Sequence, residues 1–349
     1  MDVHSIAVTG ASGLVGQRLL SLLAADPSVR RIVGLDVREP DRRVRALEFN
    51  RVDIAGVELR PLLEGVDVVV HLAGVVDPVL DEELMARVNV GGARHVLDAA
   101  SAVGVRRVVR VSSTTVYGAW PTNPVPLTED APLRPNPGFS PAVQGAEVER
   151  LLTEWRLQHP DVTVTTLRSA PVVGPGAERL PARIILGRPA LRVRGAAPPV
   201  QVVHVDDLAA ALVLAATSDL PGAFNVAADG WLTADHARAL LPKPLAPALH
   251  AEALERVLRR TWVLGLGDVP PGVVPYLVHP WVVANDALKA HGWQPRHTNE
   301  EAILQGVDAL GPPSRKGPRV VAGVVAGATI VAVAASRWGR RRPEATSRT

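Results

Sequence analysis

The chain has 349 residues, of which 47% are hydrophobic and none is cysteine, so it can hold two lobes with a substantial core but no disulfide or thiolate metal site. From Arg315 onward there are eight Lys or Arg residues and one Asp or Glu, whereas the rest of the chain carries 30 Lys or Arg and 34 Asp or Glu. The basic balance therefore belongs to the C-terminal tail and does not indicate nucleic-acid binding by the globular part.

The first predicted elements are a strand, a glycine turn and a helix. An apolar run at 5–8 leads into the sequence TGASGLVG at 9–16, and a helix-like apolar run follows at 14–25. Three glycines at this spacing suit a dinucleotide site, because they permit a sharp turn, close approach to a pyrophosphate and tight packing of the helix. The start of the helix adds free N–H groups and a positive dipole end for the phosphates.

The second predicted strand, 31–36, ends at Asp36, which lies 20 residues after Gly16. A carboxylate at this place accepts hydrogen bonds from the ribose hydroxyls of NAD and repels the additional phosphate of NADP. Arg38 offsets part of that repulsion. We therefore predict NAD as the cofactor, with NADP as the alternative.

Strand and helix patterns alternate through the first half of the chain, which predicts a parallel sheet covered by helices. Further strands are predicted at 66–72, 107–112 and 162–167, helices at 82–102 and 142–158, and an irregular proline-rich segment at 118–141. After residue 170 the elements become shorter. Two segments, 201–208 and 224–227, are predicted as strands that return to the main sheet.

The predicted fold class is therefore α/β, a Rossmann-like doubly wound parallel sheet with a smaller C-terminal substrate lobe. The dinucleotide-binding domain is expected to comprise 1–173 and about 201–228. The substrate lobe is expected to comprise about 174–200 and 229–310.

Several motifs, in this order and spacing, resemble the extended short-chain dehydrogenase/reductase family of NAD-dependent epimerase/dehydratase type, whose members act mainly on nucleotide sugars. The likeness covers about residues 5–310. Its motifs are the glycine turn at 9–16, Asp36, Asp53, His71-Leu72-Ala73-Gly74, Asn89-Val90-Gly91-Gly92, the serine motif at 111–118, the segment 168–176, and Val203-His204-Val205-Asp206-Asp207.

The resemblance implies a nucleotide-sugar-like or other hydroxylated substrate, and a homodimer formed through the helices near 82–102 and 142–158. It implies that Ser113 is the catalytic hydroxyl. The cofactor contacts that it implies are Gly10, Ser12, Gly13, Leu14, Gly16, Asp36, Asp53, Ile54, Leu72, Ala73, Gly74, Asn89 and Val111.

Some of these polar residues also have purely structural interpretations. His71 fits a packed histidine at a strand end better than an acid or base, and Asn89 fits a tie to neighbouring backbone as well as a catalytic contact. We expect His204 and Asp206 to fix a turn. The ten histidines show no ligand spacing, so no metal site is predicted.

The family's acid/base pair is missing from this sequence. In the family, a tyrosine moves the proton, and a lysine four residues later lowers the tyrosine pKa, which is near 10 when unperturbed. Aligning Glu149 and Leu152 with the family's pattern places Pro141 at the tyrosine and Gly145 at the lysine. No tyrosine or lysine occurs between Gly118 and Pro242. Tyr117 and Ser113 are poor substitutes, whereas His71 or Glu147 in a redesigned site is an alternative.

The C-terminal tail contains an uncharged run, VVAGVVAGATIVAVAAS at 320–336, which is at the short end for a membrane span. It is apolar on all sides and contains the pair Gly323 and Gly327, a helix-contact motif in lipid. We predict a transmembrane helix here, with 311–319 as linker and 337–349 as basic tail; a mobile or self-associating tail is the alternative. The chain start lacks signal-peptide features, so the globular domain is expected in the cytoplasm, anchored to the cell membrane.

Two functional hypotheses follow. The first is an NAD-binding, epimerase/dehydratase-like oxidoreductase that lacks the usual tyrosine and lysine. The second is a catalytically inactive, membrane-tethered dinucleotide sensor or scaffold. Both require a dinucleotide, and neither requires nucleic acid.

Overall fold

A parallel sheet of seven strands forms the centre of the molecule, which we describe from a computed structural model over residues 3–242 and 247–310. The strand order is β3-β2-β1-β4-β5-β6-β9, and every neighbouring pair is parallel. This confirms the predicted Rossmann-like sheet. The strands are β1 (Ser5–Thr9), β2 (Arg31–Asp36), β3 (Leu47–Arg51), β4 (Val68–His71), β5 (Arg107–Ser113), β6 (Thr163–Ser169) and β9 (Gly222–Val226), with β7 (Val172–Val173) and β8 (Val203–His204) outside the sheet.

Helices cover both faces of the sheet, so its central strands are buried on both sides. All residues of β1 and β4 are buried, which explains the continuous apolar runs in the sequence. The helices are α1 (Leu14–Ala25), α2 (Glu82–Ala86), α3 (Gly92–Ala102), α4 (Ser140–Gln158), α5 (Ala182–Ile185), α6 (Val205–Thr217), α7 (Ala234–Ala239), α8 (Ala251–Val263), α9 (Asp286–Ala290) and α10 (Asn299–Leu310). One large apolar cluster includes residues of α1 and α6, and a second includes residues of α3 and α4.

The predicted helix at 82–102 is helical throughout but not uniform. A π-helical turn, Arg87–Gly91, separates α2 from α3. Such turns widen a helix locally and often occur at functional sites. The predicted helix at 142–158 and the strand at 224–227 are confirmed within two residues, and no helix or strand occurs between Gly118 and Phe139.

The prediction of a strand at 201–208 in the main sheet is wrong. Only Val203–His204 is extended, and it pairs with Val172–Val173 in a separate two-stranded sheet. From Val205 the chain is helical, because the His204 ring caps α6 by accepting from the Asp206 N–H, and two acidic residues occupy the first turn. The apolar run at this point is therefore the buried face of a helix.

The segments predicted for the smaller lobe contribute to two further apolar clusters. One contains Leu180 and Ile184 with residues of α8, and the other joins Leu186 and residues of α10 to Val173 and Val202. Tyr276 and Trp281 instead pack into the main core. The C-terminal part of the chain thus contributes both to the lobe and to the body beside the sheet.

The predicted transmembrane helix at 320–336, the linker and the basic tail lie outside the described residues. Among residues 3–242 and 247–310, no helix has the length and apolar character needed to cross a membrane.

Candidate functional site

The glycine turn lies at the carboxyl edge of the sheet, between β1 and α1. Gly10 has a φ of +70°, and a Cβ there would lie 2.7 Å from the backbone nitrogen of Ala73. A Cβ at Gly16 would lie 2.3 Å from the Gly10 carbonyl oxygen. Both positions therefore require glycine. Gly10 has a positive φ and lies against the end of the neighbouring strand, and Gly16 allows α1 to pack closely on the turn.

The Asp36 carboxylate holds this turn against the end of β2. One oxygen accepts from the backbone N–H of Ser12 at 3.0 Å, and the other accepts from the N–H of Arg38 at 3.1 Å. The Ser12 hydroxyl donates to the Arg38 carbonyl oxygen at 2.5 Å. The predicted ribose acceptor and the predicted phosphate loop are thus brought together.

Two further predicted contact residues follow β3, the edge strand beside β2. Asp53 is exposed and accepts from the N–H of Ala55 at 3.0 Å. Ile54 is buried against α3, where its Cδ1 would lie 2.9 Å from a Cβ at Gly92. Both lie on the same edge of the sheet as Asp36, because parallel strands end together.

The strand end at 71–74 runs along the glycine turn. The backbone N–H of Ala73 donates to the Thr9 hydroxyl oxygen at 3.1 Å, and the same hydroxyl lies 2.8 Å from Nδ1 of His71. Burial lowers the pKa of His71 to about 3, and the Arg110 guanidinium contributes to the same shift. His71 is therefore a packed histidine, and its lowered pKa argues against a role as the base of a redesigned site.

Asn89 lies in the π-helical turn and binds neighbouring backbone. Its side chain accepts from the Val75 N–H at 2.7 Å and donates to the Val75 carbonyl oxygen at 3.0 Å. It also donates to the Gln144 side chain of α4 at 2.9 Å. Asn89 therefore ties the segment after β4 to the helix, and its predicted contact with the cofactor stays a prediction.

Ser113 ends β5 and caps the 3-10 helix Thr114–Tyr117. Its hydroxyl oxygen accepts from the N–H and from the hydroxyl of Thr115, at 3.2 and 3.0 Å. Val111 lies on the same face of β5, two residues earlier. A Cβ at Gly145 of α4 would lie 3.1 Å from Cγ1 of Val116, so this helix position directly adjoins the serine turn.

None of the candidate substitutes provides a tyrosine-like base. The Tyr117 hydroxyl is buried and donates to Asn225 at 2.8 Å, and burial raises the pKa of Tyr117 to about 12. Glu147 is exposed, whereas the adjacent Val148 is buried against the sheet. The side chain of Glu147 therefore faces solvent on the outer side of α4.

A buried ionic network lies next to Ser113, and the sequence patterns do not predict it. The Arg168 guanidinium pairs with Glu149 at 2.8 Å, and the Ser112 hydroxyl donates to the same carboxylate at 2.5 Å. Arg168 also donates to the Tyr117 hydroxyl at 2.8 Å. Burial would lower the pKa of Arg168, but Glu149 and Tyr117 raise it above its ordinary value. An arginine within a predicted strand was the available signal, because a charge that becomes buried needs a partner.

His204 and Asp206 fix the start of α6, as predicted. The Asp206 carboxylate lies 3.3 Å from Nε of Arg18, and the His204 ring stacks on His297 with centroids 3.8 Å apart. The turn at 174–176 extends over the glycine turn, since a Cβ at Gly176 would lie 3.0 Å from Cδ1 of Leu14. In the described part of the chain, no three His, Cys, Asp or Glu side chains form a group suited to a metal.

Comparison with known proteins agrees with this geometry. Residues 6–227 match the model of the NAD dependent epimerase/dehydratase family. A Mycobacterium tuberculosis protein described as uncharacterized is 30% identical over 316 residues, covering 85% of this chain and 82% of the relative. A 3-diazoavenalumate denitrifying reductase from a Streptomyces species is 30% identical over 327 residues, covering 84% of this chain and 96% of that protein.

Solved structures show the same fold. The UDP-glucose 4-epimerase of Thermus thermophilus, in complex with NAD, superposes with a TM-score of 0.68 at 24% identity and covers 88% of this chain and 99% of its own. The UDP-glucuronic acid 4-epimerase of Bacillus cereus, also in complex with NAD, has a TM-score of 0.67 at 18% identity, with 88% and 98% covered.

Proposed function

The chain belongs to the NAD dependent epimerase/dehydratase family, and from this premise we propose that it binds NAD at the carboxyl edge of the sheet. The observation that carries the proposal is the joint geometry of the glycine turn and Asp36. The backbone of Gly10 to Gly16 would face the pyrophosphate, and Asp36 would accept from the adenosine ribose. Asp53, Ile54 and the strand end at 72–74 would line the remainder of the dinucleotide.

The residues present fit this cofactor. The first turn of α1 has no acidic residue and no side-chain cap, so no carboxylate competes with a phosphate for its N–H groups. Each oxygen of Asp36 accepts one backbone hydrogen bond. A carboxylate can accept about four, so capacity remains for two ribose hydroxyls.

When bound, the nicotinamide supplies hydride transfer, and the protein's part is to orient a hydroxylated substrate beside it. The Ser113 hydroxyl is the group we assign to that substrate. A proton cannot pass through the family's tyrosine and lysine, because Pro141 and Gly145 stand in their places. Turnover therefore requires a proton acceptor from outside the usual pair.

The missing pair favours a second candidate, a dinucleotide sensor or scaffold without catalytic activity. Its specific support is the state of the remaining side chains near the serine. His71 is held neutral, and Tyr117 is committed to Arg168 and Asn225. Binding depends on backbone and carboxylate groups, which are retained, so it survives the loss of the acid/base pair.

We further propose that the uncharged run at 320–336 anchors the protein to a membrane, with the globular domain on the cytoplasmic side. The support is the sequence alone: 17 residues without charge, flanked by Arg319 and Arg337. We also propose a homodimer formed through α3 and α4, for which the family resemblance of the sequence is the support.

Calorimetric titration of the full-length protein with NAD, NADH and NADP tests the cofactor proposal. We expect NAD to bind, and Asp36→Asn to weaken it by about tenfold, because hydrogen bonds to a charged acceptor are lost. The same variant should improve NADP relative to NAD, since the repelling charge is removed. Asp98→Asn on the exposed side of α3 is the matched control and should leave both affinities unchanged.

Failure of the wild type to bind either NAD or NADH would contradict the proposed function in both its forms. Turnover separates the two forms. The NAD-loaded protein is mixed with UDP-glucose, UDP-glucuronic acid or a 3-hydroxysteroid, and absorbance of reduced nicotinamide is followed. Epimerisation and dehydration return the hydride to the product, so the products are also separated by chromatography. Binding with neither an absorbance change nor a new product supports the sensor, and either of these changes supports the oxidoreductase.

A further inference from the structure

A cavity of about 420 Å³ opens beside the proposed nicotinamide end of the site. Its inner wall is formed by Thr114 and by the segment Ala170–Pro171, which follow directly on β5 and β6. Thr114 is the residue next to Ser113. A molecule filling this cavity therefore places one end against the serine turn.

The walls of the cavity are predominantly aliphatic and aromatic. Side chains from the lobe form one side and the segment 277–282 forms the other, with Ile184, Leu191, Val193 and Trp281 as the larger members. Three of the described lining residues are proline, namely Pro171, Pro198 and Pro199. Proline has no backbone N–H, so these positions cannot donate to a ligand.

Most polar side chains in the wall are already committed to the protein. Nε2 of Gln201 lies within 3.2 Å of three backbone carbonyl oxygens. The Tyr276 hydroxyl donates to the Thr115 carbonyl oxygen at 2.8 Å, and the Trp281 indole donates to the Tyr276 carbonyl oxygen at 3.1 Å. A ligand would break these bonds to use the groups.

The charges in the wall do not suit a diphosphate. Arg238 pairs with Asp235 at 2.6 Å, so the two largely cancel. Arg192 is exposed and is the one other cation among the described residues of the wall. Diphosphates are held by several cationic or N–H donors acting together, and charged groups are costly to place on apolar walls.

Thr114 differs from the other polar lining residues. Thr114 is 1% exposed, and its hydroxyl makes no hydrogen bond within residues 3–242 and 247–310, yet its oxygen is not among the fully buried unpartnered atoms. A hydroxyl in this state can donate to or accept from a ligand's polar atom without breaking an existing bond. The cavity thus combines an apolar body with one hydrogen-bonding group at its inner end.

We propose that this cavity binds an uncharged hydrophobic alcohol or ketone of polycyclic size, with its oxygen on Thr114, and not the diphosphate of a nucleotide sugar. The inference rests on the proposed function for its place beside the cofactor. It narrows the substrate from any hydroxylated molecule to one whose affinity comes from apolar burial. Thr114 is then the positioning residue that directs the oxygen towards Ser113.

Equilibrium dialysis of the full-length protein tests this, with dehydroepiandrosterone as the probe and UDP-glucose as comparator. We expect the steroid to bind more tightly than UDP-glucose. Ala190→Phe fills the cavity and should raise the steroid Kd about tenfold, because overpacking costs about this much. Ala197→Phe is the matched control, since Ala197 is exposed and does not line the cavity, and it should leave the Kd unchanged.

The ratio of the affinities for the steroid and for its 3-deoxy analogue tests the role of Thr114, because a purely structural role would leave this ratio unchanged. The wild type should prefer the steroid over its 3-deoxy analogue by about fivefold, and Thr114→Val should bring that ratio to about one. NAD titration of every variant is the internal check. If the wild type binds NAD but does not bind the steroid, or binds UDP-glucose more tightly, the inference alone is overturned. If the wild type does not bind NAD, the proposed function is overturned.

Discussion

Single residues at the sheet edge explain why the site is suited to binding and poorly suited to the family's proton transfer. Gly10 and Gly16 are required whatever the ligand, because a Cβ would lie 2.7 Å from a backbone atom at the first position and 2.3 Å at the second. Asp36 is positioned by two backbone N–H groups. The residues that would carry the proton are absent, and His71, one candidate to replace them, is held neutral by its surroundings.

The buried state of His71 has a measurable consequence for stability. The folded-state pKa is about 3, whereas the unfolded value is near 6.5. Between these values the unfolded chain binds the additional proton, so this contribution to stability is complete above pH 6.5 and is lost as the pH falls below it. We expect His71→Gln to flatten the decrease of unfolding free energy between pH 6 and 4 by up to about 1.4 kcal/mol per pH unit.

Urea unfolding of wild type and variant across that pH range provides the measurement. The slope with pH is the readout, since loss of the contact with Thr9 shifts stability at every pH. Exposed His250→Gln is the control and should keep the wild-type slope. An unchanged slope in His71→Gln would show that this histidine is accessible to protons in the folded state.

At the scale of elements, α4 connects the serine turn to the sheet. Its N-terminal half presents Gly145 to Val116, and one turn later Glu149 reaches Arg168 of β6. The pair is buried, with Ser112 completing the carboxylate's hydrogen bonds. The Glu149–Arg168 pair therefore fixes the position of α4 on the sheet, although position 145 of this helix carries no lysine.

We expect Glu149→Gln to lower the free energy of unfolding by about 3 kcal/mol, because it leaves the Arg168 charge buried without its counter-charge. Exposed Glu154→Gln, on the same helix, should change it by less than about 0.5 kcal/mol. Chemical denaturation measures both. A double variant with Arg168→Met should recover part of the loss, and simple additivity would argue against a direct pair.

At the scale of the whole molecule, the apolar cavity and the uncharged C-terminal run are both consistent with work at a membrane. A hydrophobic alcohol partitions into lipid, and a protein tethered there meets it at raised local concentration. The cavity is formed by the described residues, whereas the tether is argued from sequence alone.

Fractionation of cells expressing the full chain tests the tether. We expect the protein in the membrane pellet, retained after washing with high salt and released by detergent, because apolar insertion is insensitive to ionic strength. A variant with Val325→Arg and Ile330→Arg should move to the supernatant, whereas changing Arg337 and Arg340 to lysine should not. Release of the wild type by salt alone would contradict an anchor.

The sequence by itself determined the sheet, the glycine turn and the missing acid/base pair. Buried parallel strands need continuous apolar runs, tight turns need glycine, and the absence of tyrosine and lysine across 118–242 holds in any fold. The segment 201–208 was misassigned because a buried helix face and a buried strand are both apolar over a few residues. Its capping by His204 was the local signal that decides between them.

Only the tertiary structure decided the protonation of His71, the pairing of Glu149 with Arg168 and the chemistry of the cavity. Each depends on side chains from separate segments meeting in space: Arg110 beside His71, β6 against α4, and Thr114 with residues 184–201 and 277–282. Periodicity reports which face of an element is buried. It does not report the partner on the other side, and burial, charge and hydrogen bonding act through that partner.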